Sequence, residues 1–307
     1  MSRFANVAIM GTGTMGPGMG AVLARAGMAV RMYDTSAEAL EKARAMFDVA
    51  WGVLDRLETP DRGGGSATYE SDVAGALSGV DAVVEAVPEK LELKKQVFAE
   101  YERHVGADVL LASNTSGIPI TKIAADLEHP ERVVGTHWSN PPNLIPMIEV
   151  IPGEKTSPAT VEAAVQMIED VGYVASRIKK EVPGFVENRV LYAIMRECLA
   201  LVDEGVVDRE ELDLNVKWGI GYKLAVIPPM QLLDMAGLDI YSAVASYLNR
   251  DLSNEQGISS TIAALTAQGR LGMKTKGGIF DYTDEQIEQL RAQRFAGLVK
   301  VRKALSS

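Results

Sequence analysis

Residues Gly11-Thr12-Gly13-Thr14-Met15-Gly16 follow the apolar run 7–10 and open a helical pattern. This feature constrains the fold most, because it fixes a strand, a tight turn and a helix in one order. In that setting Gly11 permits the turn, Gly13 lets the backbone approach a pyrophosphate, and Gly16 lets helix and strand pack closely. Thr14 and Met15 belong to the same cradle, where free N–H groups and the helix dipole favour an anion. Pro17 falls in the first helical turn, where a missing N–H costs little. Asp34 ends the second apolar run, 18 residues beyond Gly16, and is followed by Thr35 and Ser36 rather than by an arginine. A carboxylate there accepts hydrogen bonds from ribose hydroxyls and repels a 2′-phosphate, so the expected cofactor is NAD rather than NADP. The competing reading is a surface glycine turn beside a helix-capping aspartate.

The rest of the first half repeats this rhythm. Apolar runs at 7–10, 29–33, 82–87, 109–113, 133–137, 147–151 and 173–178 read as strands, and 67–69 re-enters the sheet. Helical patterns occupy 14–26, 37–57, 89–103 and 158–171, with a flexible glycine turn at 61–66. The expected class is α/β: a Rossmann-type, doubly wound, mostly parallel sheet followed by an all-α C-terminal domain. The boundary is placed at Pro183-Gly184, giving an NAD-binding domain at 1–183 and a helical substrate and dimerisation domain at 184–307. The first helix of that second domain, 185–204, reads as apolar on almost every face. It is expected to be covered on all sides, in a domain centre or a subunit interface. The last helix, 284–305, carries a narrower stripe that includes Ile287 and Leu290.

Composition excludes several classes. With 47% hydrophobic and 23% charged residues, the chain has the balance of a globular protein with a sizeable core. A net charge of -10 disfavours nucleic acid as a partner. The single cysteine, Cys198, excludes an internal disulfide and reads as a buried small hydrophobe. The N-terminal residues lack a signal-peptide pattern and no apolar stretch reaches membrane-spanning length, so a cytoplasmic protein with no membrane partner is expected.

Of three histidines, His104 and His129 lie in charged surroundings. His137 ends the run Val133-Val134-Gly135-Thr136-His137 and enters the turn Trp138-Ser139-Asn140-Pro141-Pro142. That is the carboxyl edge of a parallel sheet, where open α/β folds bind ligands. Removing a hydride from an alcohol carbon requires a base for the hydroxyl proton, and imidazole titrates in the right range. Glu149 on the next strand can hold the ring. A plain core histidine is the alternative from position alone. The segment 113–117 brings Asn114 and Ser116 to the same edge, and Asn188 faces back from the first helical turn of the second domain. No cluster has metal-ligand spacing, so no metal is expected.

Together these segments resemble the L-3-hydroxyacyl-CoA dehydrogenase family over nearly the whole chain. The matching pieces are the glycine motif, Glu85-Ala86-Val87-Pro88-Glu89 with Lys94, Ser113 to Ser116, His137 to Pro141, Pro183 to Arg189, and Lys274 to Tyr282. The resemblance implies a catalytic set of His137, Glu149, Ser116 and Asn188. It also implies Val87, Glu89, Lys94 and Asn114 around the nicotinamide half of NAD, and a homodimer formed through the helical domain.

The departures from that family concern substrate. Trp138-Ser139 replaces a pair of phenylalanines, and between Asp34 and Gly75 Lys42 is the one lysine where acyl-CoA members are lysine-rich. The segments around Ser116, His137 and Trp218 to Lys223 most resemble a branch that oxidises a small carboxylated pyridine aldehyde of vitamin B6 degradation, through its hydrate. Substrate contacts are expected from Ser116, Trp138, Asn140 and Lys223. Trp138 would offer a flat face beside the base, and Lys223 would pair with a ring carboxylate. An L-3-hydroxyacyl-CoA dehydrogenase is the alternative enzyme, and a non-catalytic NAD-binding sensor the alternative outside enzymes.

Overall fold

The computed structural model describes residues 4–306. Eight strands form one sheet: β1 Asn6–Met10, β2 Ala29–Tyr33, β3 Ser66–Glu70, β4 Ala82–Glu85, β5 Leu110–Ser113, β6 Val133–Trp138, β7 Met147–Pro152 and β8 Val174–Arg177. Their order is β3-β2-β1-β4-β5-β6-β7-β8, parallel throughout except for the antiparallel β6–β7 pair. The chain therefore reverses direction of travel between β1 and β4, the crevice where such sheets take ligands. The covering helices are α1 Gly16–Arg25, α2 Ala37–Arg56, α3 Val73–Leu77, α4 Leu91–His104, α5 Ile120–Ile123 and α6 Pro158–Asp170. The short helices α3 and α5 carry no periodic pattern long enough to be read from sequence.

The period-two alternation of strand side chains divides the core into two layers. Val7 and Ile9 of β1 pack in one cluster with Met19 and Leu23 of α1 and Ala164 and Ile168 of α6. Ala8 and Met10 pack in the other, with Phe98 and Tyr101 of α4 and Ile120 of α5. Burial on both faces explains why β1, β4 and β5 read as continuous apolar runs.

One compact unit runs to Arg189 and a second begins at Val190, so the division falls inside α7, Glu187–Asp203. The second unit is helical: α8 Arg209–Asn215, a π-helical stretch Val216–Gly221, α9 Tyr222–Leu224, α10 Pro229–Ala236, α11 Leu238–Asp251, α12 Ser260–Ala267 and α13 Asp284–Ser306. Two expectations are corrected here. α7 has no buried residue in the single chain, and Val190, Leu191 and Met195 are exposed with Tyr192 at 71%. Arg189, Arg196 and Glu197 interrupt the apolar surface, so the helix is amphipathic rather than apolar all round. Cys198, on the same helix, is half-buried rather than buried. No helix among the described residues is long and apolar enough to cross a membrane.

Candidate active site

The glycine turn has the geometry its sequence requires. Gly11 sits at φ 110°, and a Cβ there would stand 2.6 Å from the carbonyl oxygen of Ala86 on the β4 loop. A Cβ on Gly16 would stand 2.4 Å from the carbonyl oxygen of Gly11. Gly13 differs: a Cβ would meet nothing within 4 Å, and both Gly13 and Thr14 are exposed at the mouth of the turn. Its lack of a side chain therefore serves something outside the chain, which is the fit a pyrophosphate requires. Asp34 closes the other end of the cradle. Its Oδ2 accepts from the Thr12 backbone N–H at 3.0 Å and from Thr12 Oγ1 at 2.9 Å, while Oδ1 accepts from the Ser36 N–H at 3.1 Å. The carboxylate is thereby held at the tip of β2.

A second polar system fills the adjacent strand ends. Glu85, fully buried at the end of β4, accepts from Lys94 Nζ at 2.7 Å, the Val87 N–H at 2.7 Å and Ser113 Oγ at 2.6 Å. Burial pushes its carboxyl above the ordinary value, and the opposing charge and hydrogen bond of Lys94 do not cancel that. Lys94, itself 1% exposed, also reaches Glu89 Oε2 at 3.3 Å. Glu89 in turn accepts from Thr115 Oγ1 at 2.6 Å and the Ser116 N–H at 2.9 Å. Burial alone would raise the Glu89 carboxyl, but these hydrogen bonds and the Lys94 charge hold it below the ordinary value. Asn114 Oδ1 accepts from the Trp138 N–H at 3.0 Å, and Asn188 Nδ2 donates to the Ser116 carbonyl at 3.1 Å. Val87, Glu89, Lys94, Asn114, Ser116 and Asn188 thus form one linked network around the ends of β4 and β5.

His137 and Glu149 are directly opposite residues of the antiparallel β6–β7 pair, so their side chains leave the same face side by side. His137 Nδ1 lies 2.8 Å from Glu149 Oε2, with both residues buried. Glu149 Oε1 accepts the N–H groups of Val186 at 2.9 Å and Glu187 at 3.1 Å, at the start of α7. Burial would raise the Glu149 carboxyl, yet the His137 hydrogen bond, the two N–H groups and the imidazole charge together bring it below the ordinary value. Glu149 is therefore an anion at neutral pH. It accepts the Nδ1 proton and leaves Nε2 as the working nitrogen.

Sequence reasoning missed one neighbour. Glu187 Oε2 accepts from Ser139 Oγ at 2.5 Å, and one ligating atom each of His137, Glu149 and Glu187 lie within 4.8 Å of one another. The donor types would suit a cation, and Glu149 already accepts three hydrogen bonds. The sequence signal for Glu187 was an acidic residue opening a helix, which reads equally well as a response to the helix dipole.

Trp138 is a correction. It follows His137 in β6, so its ring leaves the opposite face of the sheet. There it is 2% exposed, stands 5.9 Å from the Tyr173 ring and packs with Ile148 and Val150. It offers no face beside the base; the ring nearest His137 is Phe185, at 5.8 Å. Asn140 is exposed in the following turn, and Lys223 is exposed on α9 in the second unit.

A dinucleotide cradle at the β1–β4 crevice and a carboxylate-backed histidine farther along the same sheet edge define a nicotinamide-dependent dehydrogenase. The chain belongs to the 3-hydroxyacyl-CoA dehydrogenase family: the profile described as 3-hydroxyacyl-CoA dehydrogenase, NAD binding domain, matches residues 6–182, and that of its C-terminal domain matches residues 184–282. Among curated relatives, 5-formyl-3-hydroxy-2-methylpyridine 4-carboxylate 5-dehydrogenase of Mesorhizobium japonicum is 52% identical over 302 residues, 98% of each chain. A crystal structure of 5-formyl-3-hydroxy-2-methylpyridine 4-carboxylic acid 5-dehydrogenase, an NAD+-dependent dismutase, superimposes with a TM-score of 0.96 at 50% identity, covering 99% of both chains. The (S)-3-hydroxybutyryl-CoA dehydrogenase of Ralstonia eutropha gives a TM-score of 0.73 at 30% identity, covering 92% of this chain and 100% of that one. The chain is an NAD-dependent oxidoreductase.

Proposed function

We propose that the protein oxidises a small carboxylated aldehyde, as its hydrate, or the corresponding alcohol, and that 5-formyl-3-hydroxy-2-methylpyridine-4-carboxylate or a close analogue is the substrate. The observation that carries this reading is the 52% identity sustained over 98% of both chains, against 30% to the 3-hydroxybutyryl-CoA dehydrogenase above. The surface after Asp34 agrees with it. Lys42 and Arg44 are the basic residues in the first turns of α2, and each already faces an acidic neighbour, Glu38 at 2.6 Å and Glu41 at 3.5 Å.

His137 acts as the general acid and base at the substrate hydroxyl, with Glu149 orienting the ring and stabilising its charged form. Ser116 and Asn188 hold the substrate oxygen, and Asn140 and Lys223 contribute further polar contacts. Gly11, Gly13, Thr14, Met15, Gly16 and Asp34 hold the adenine and pyrophosphate half of NAD. Val87, Glu89, Lys94 and Asn114 hold the nicotinamide half. When bound, NAD accepts the hydride. Residues 1–183 act as the NAD-binding domain and 184–307 as a helical domain that pairs two copies, supported by the exposed apolar face of α7. A cytoplasmic location agrees with the single, unpaired cysteine.

The test is steady-state kinetics of pyridine-aldehyde oxidation beside acetoacetyl-CoA reduction, followed by NADH absorbance. Higher kcat/KM for the aldehyde is expected. A higher value for the thioester would favour the acyl-CoA reading.

A further inference from the structure

Oxidising an aldehyde to an acid requires that water first add to the carbonyl, because a free aldehyde carries no hydroxyl proton for a base to remove. The carboxylated-aldehyde reading therefore raises a question that an alcohol substrate does not: where the hydrate forms. The site holds one acidic group that alcohol oxidation leaves unused. Glu187 stands beside His137, within the 4.8 Å cluster, and is half-buried. Its Oε2 is fixed by the buried Ser139 hydroxyl at 2.5 Å, and its backbone N–H is fixed by Glu149 Oε1. No hydrogen bond reaches its Oε1 among the described residues, so one oxygen of a carboxylate that stands beside His137 is left without a donor.

We propose that Glu187 is a further catalytic residue, the base that hydrates the aldehyde within the site; this rests on the aldehyde reading above. In the step, Glu187 Oε1 takes a proton from water as the water oxygen bonds to the formyl carbon. The carbonyl π pair moves onto its oxygen, which takes the Nε2 proton of His137 in its charged form. The product is the gem-diol, with Glu187 protonated and His137 neutral. His137 can then receive a diol hydroxyl proton during oxidation, and Glu187 returns its proton to solvent. Nothing is oxidised or reduced in the hydration step. The Ser139 hydroxyl is a positioning group that keeps Oε2 occupied and leaves Oε1 as the oxygen for the water proton.

The experiment compares Glu187→Gln and Ser139→Ala with wild type, each first checked for native folding by circular dichroism and thermal melting. For each, kcat/KM is measured for NAD-dependent oxidation of the pyridine aldehyde and of the corresponding alcohol, which needs no hydration. The ratio of aldehyde to alcohol oxidation should fall at least about tenfold in Glu187→Gln, within the range general-base catalysis supplies, and less in Ser139→Ala. An unchanged ratio would overturn the proposal, whether because the hydrate enters ready-made from solution or because both activities drop together through displacement of His137. If the wild-type protein oxidises no aldehyde, the substrate reading itself fails, and the hydration role with it.

Discussion

His137 and Glu149, 2.8 Å apart, are proposed to do different work. With Glu149 proposed to orient the ring and His137 to transfer the proton, Glu149→Gln should reduce kcat by less than His137→Asn does. Glu149 also links activity to stability. A carboxyl held below its ordinary value adds stability that is complete above the ordinary carboxylate pKa and is lost as pH falls through the depressed one. The difference in Tm between wild type and Glu149→Gln should therefore be constant from neutral pH down to the ordinary carboxylate range and shrink below it. A difference that persists unchanged to acid unfolding would contradict the assignment. Asp34 supports a separate expectation: NAD should be preferred over NADP by more than about tenfold in kcat/KM, roughly 1.4 kcal/mol, and Asp34→Ala should narrow that preference. The turn and strand-end positions of Gly11, Gly16, Asp34 and His137 were legible from sequence because each answers a constraint set by its immediate neighbours. Ser139 and Glu187 were not, since 48 residues separate them and the fold alone brings them together. Trp138 was misplaced because adjacency along a strand puts neighbours on opposite faces.

Among elements, the ends of β4, β5 and α4 depend on a charge pair taken out of water. Breaking such a pair leaves an uncompensated buried charge, typically at a cost of about 3–5 kcal/mol. Lys94→Met should therefore lower stability by an amount in that range in urea unfolding. The double variant Glu85→Gln, Lys94→Met should recover part of the loss, whereas equal losses in single and double variants would mean that the pair does not hold these elements. The parallel strands were readable because burial on both faces gives unbroken apolar runs. Glu85 interrupts one of those runs without breaking the strand, since its charge is met by Lys94 from α4. α3 and α5 were not readable, being too short to show a period. α7 was read as apolar all round because a count of apolar residues ignores where Arg189, Arg196 and Glu197 fall around the helix.

For the whole molecule, the second unit buries little of its own apolar surface: Ile287 is its one buried apolar side chain among the described residues. Tyr192, Met195, Tyr222, Met230 and Met235 are all exposed in the single chain, more apolar surface than an isolated domain ordinarily leaves in water. Sedimentation analysis should show a dimer, and Leu191→Arg with Met195→Arg should shift it toward monomer. A wild-type protein monomeric at micromolar concentration would remove the dimer from the account. One histidine is proposed to move the substrate proton on a scaffold that binds NAD independently of it. That role is tested most directly by NADH formation from the pyridine aldehyde with wild type and His137→Asn, beside NAD affinity by calorimetry. The account predicts a loss of kcat of about a hundredfold or more with NAD affinity unchanged; near wild-type turnover in the variant would contradict it.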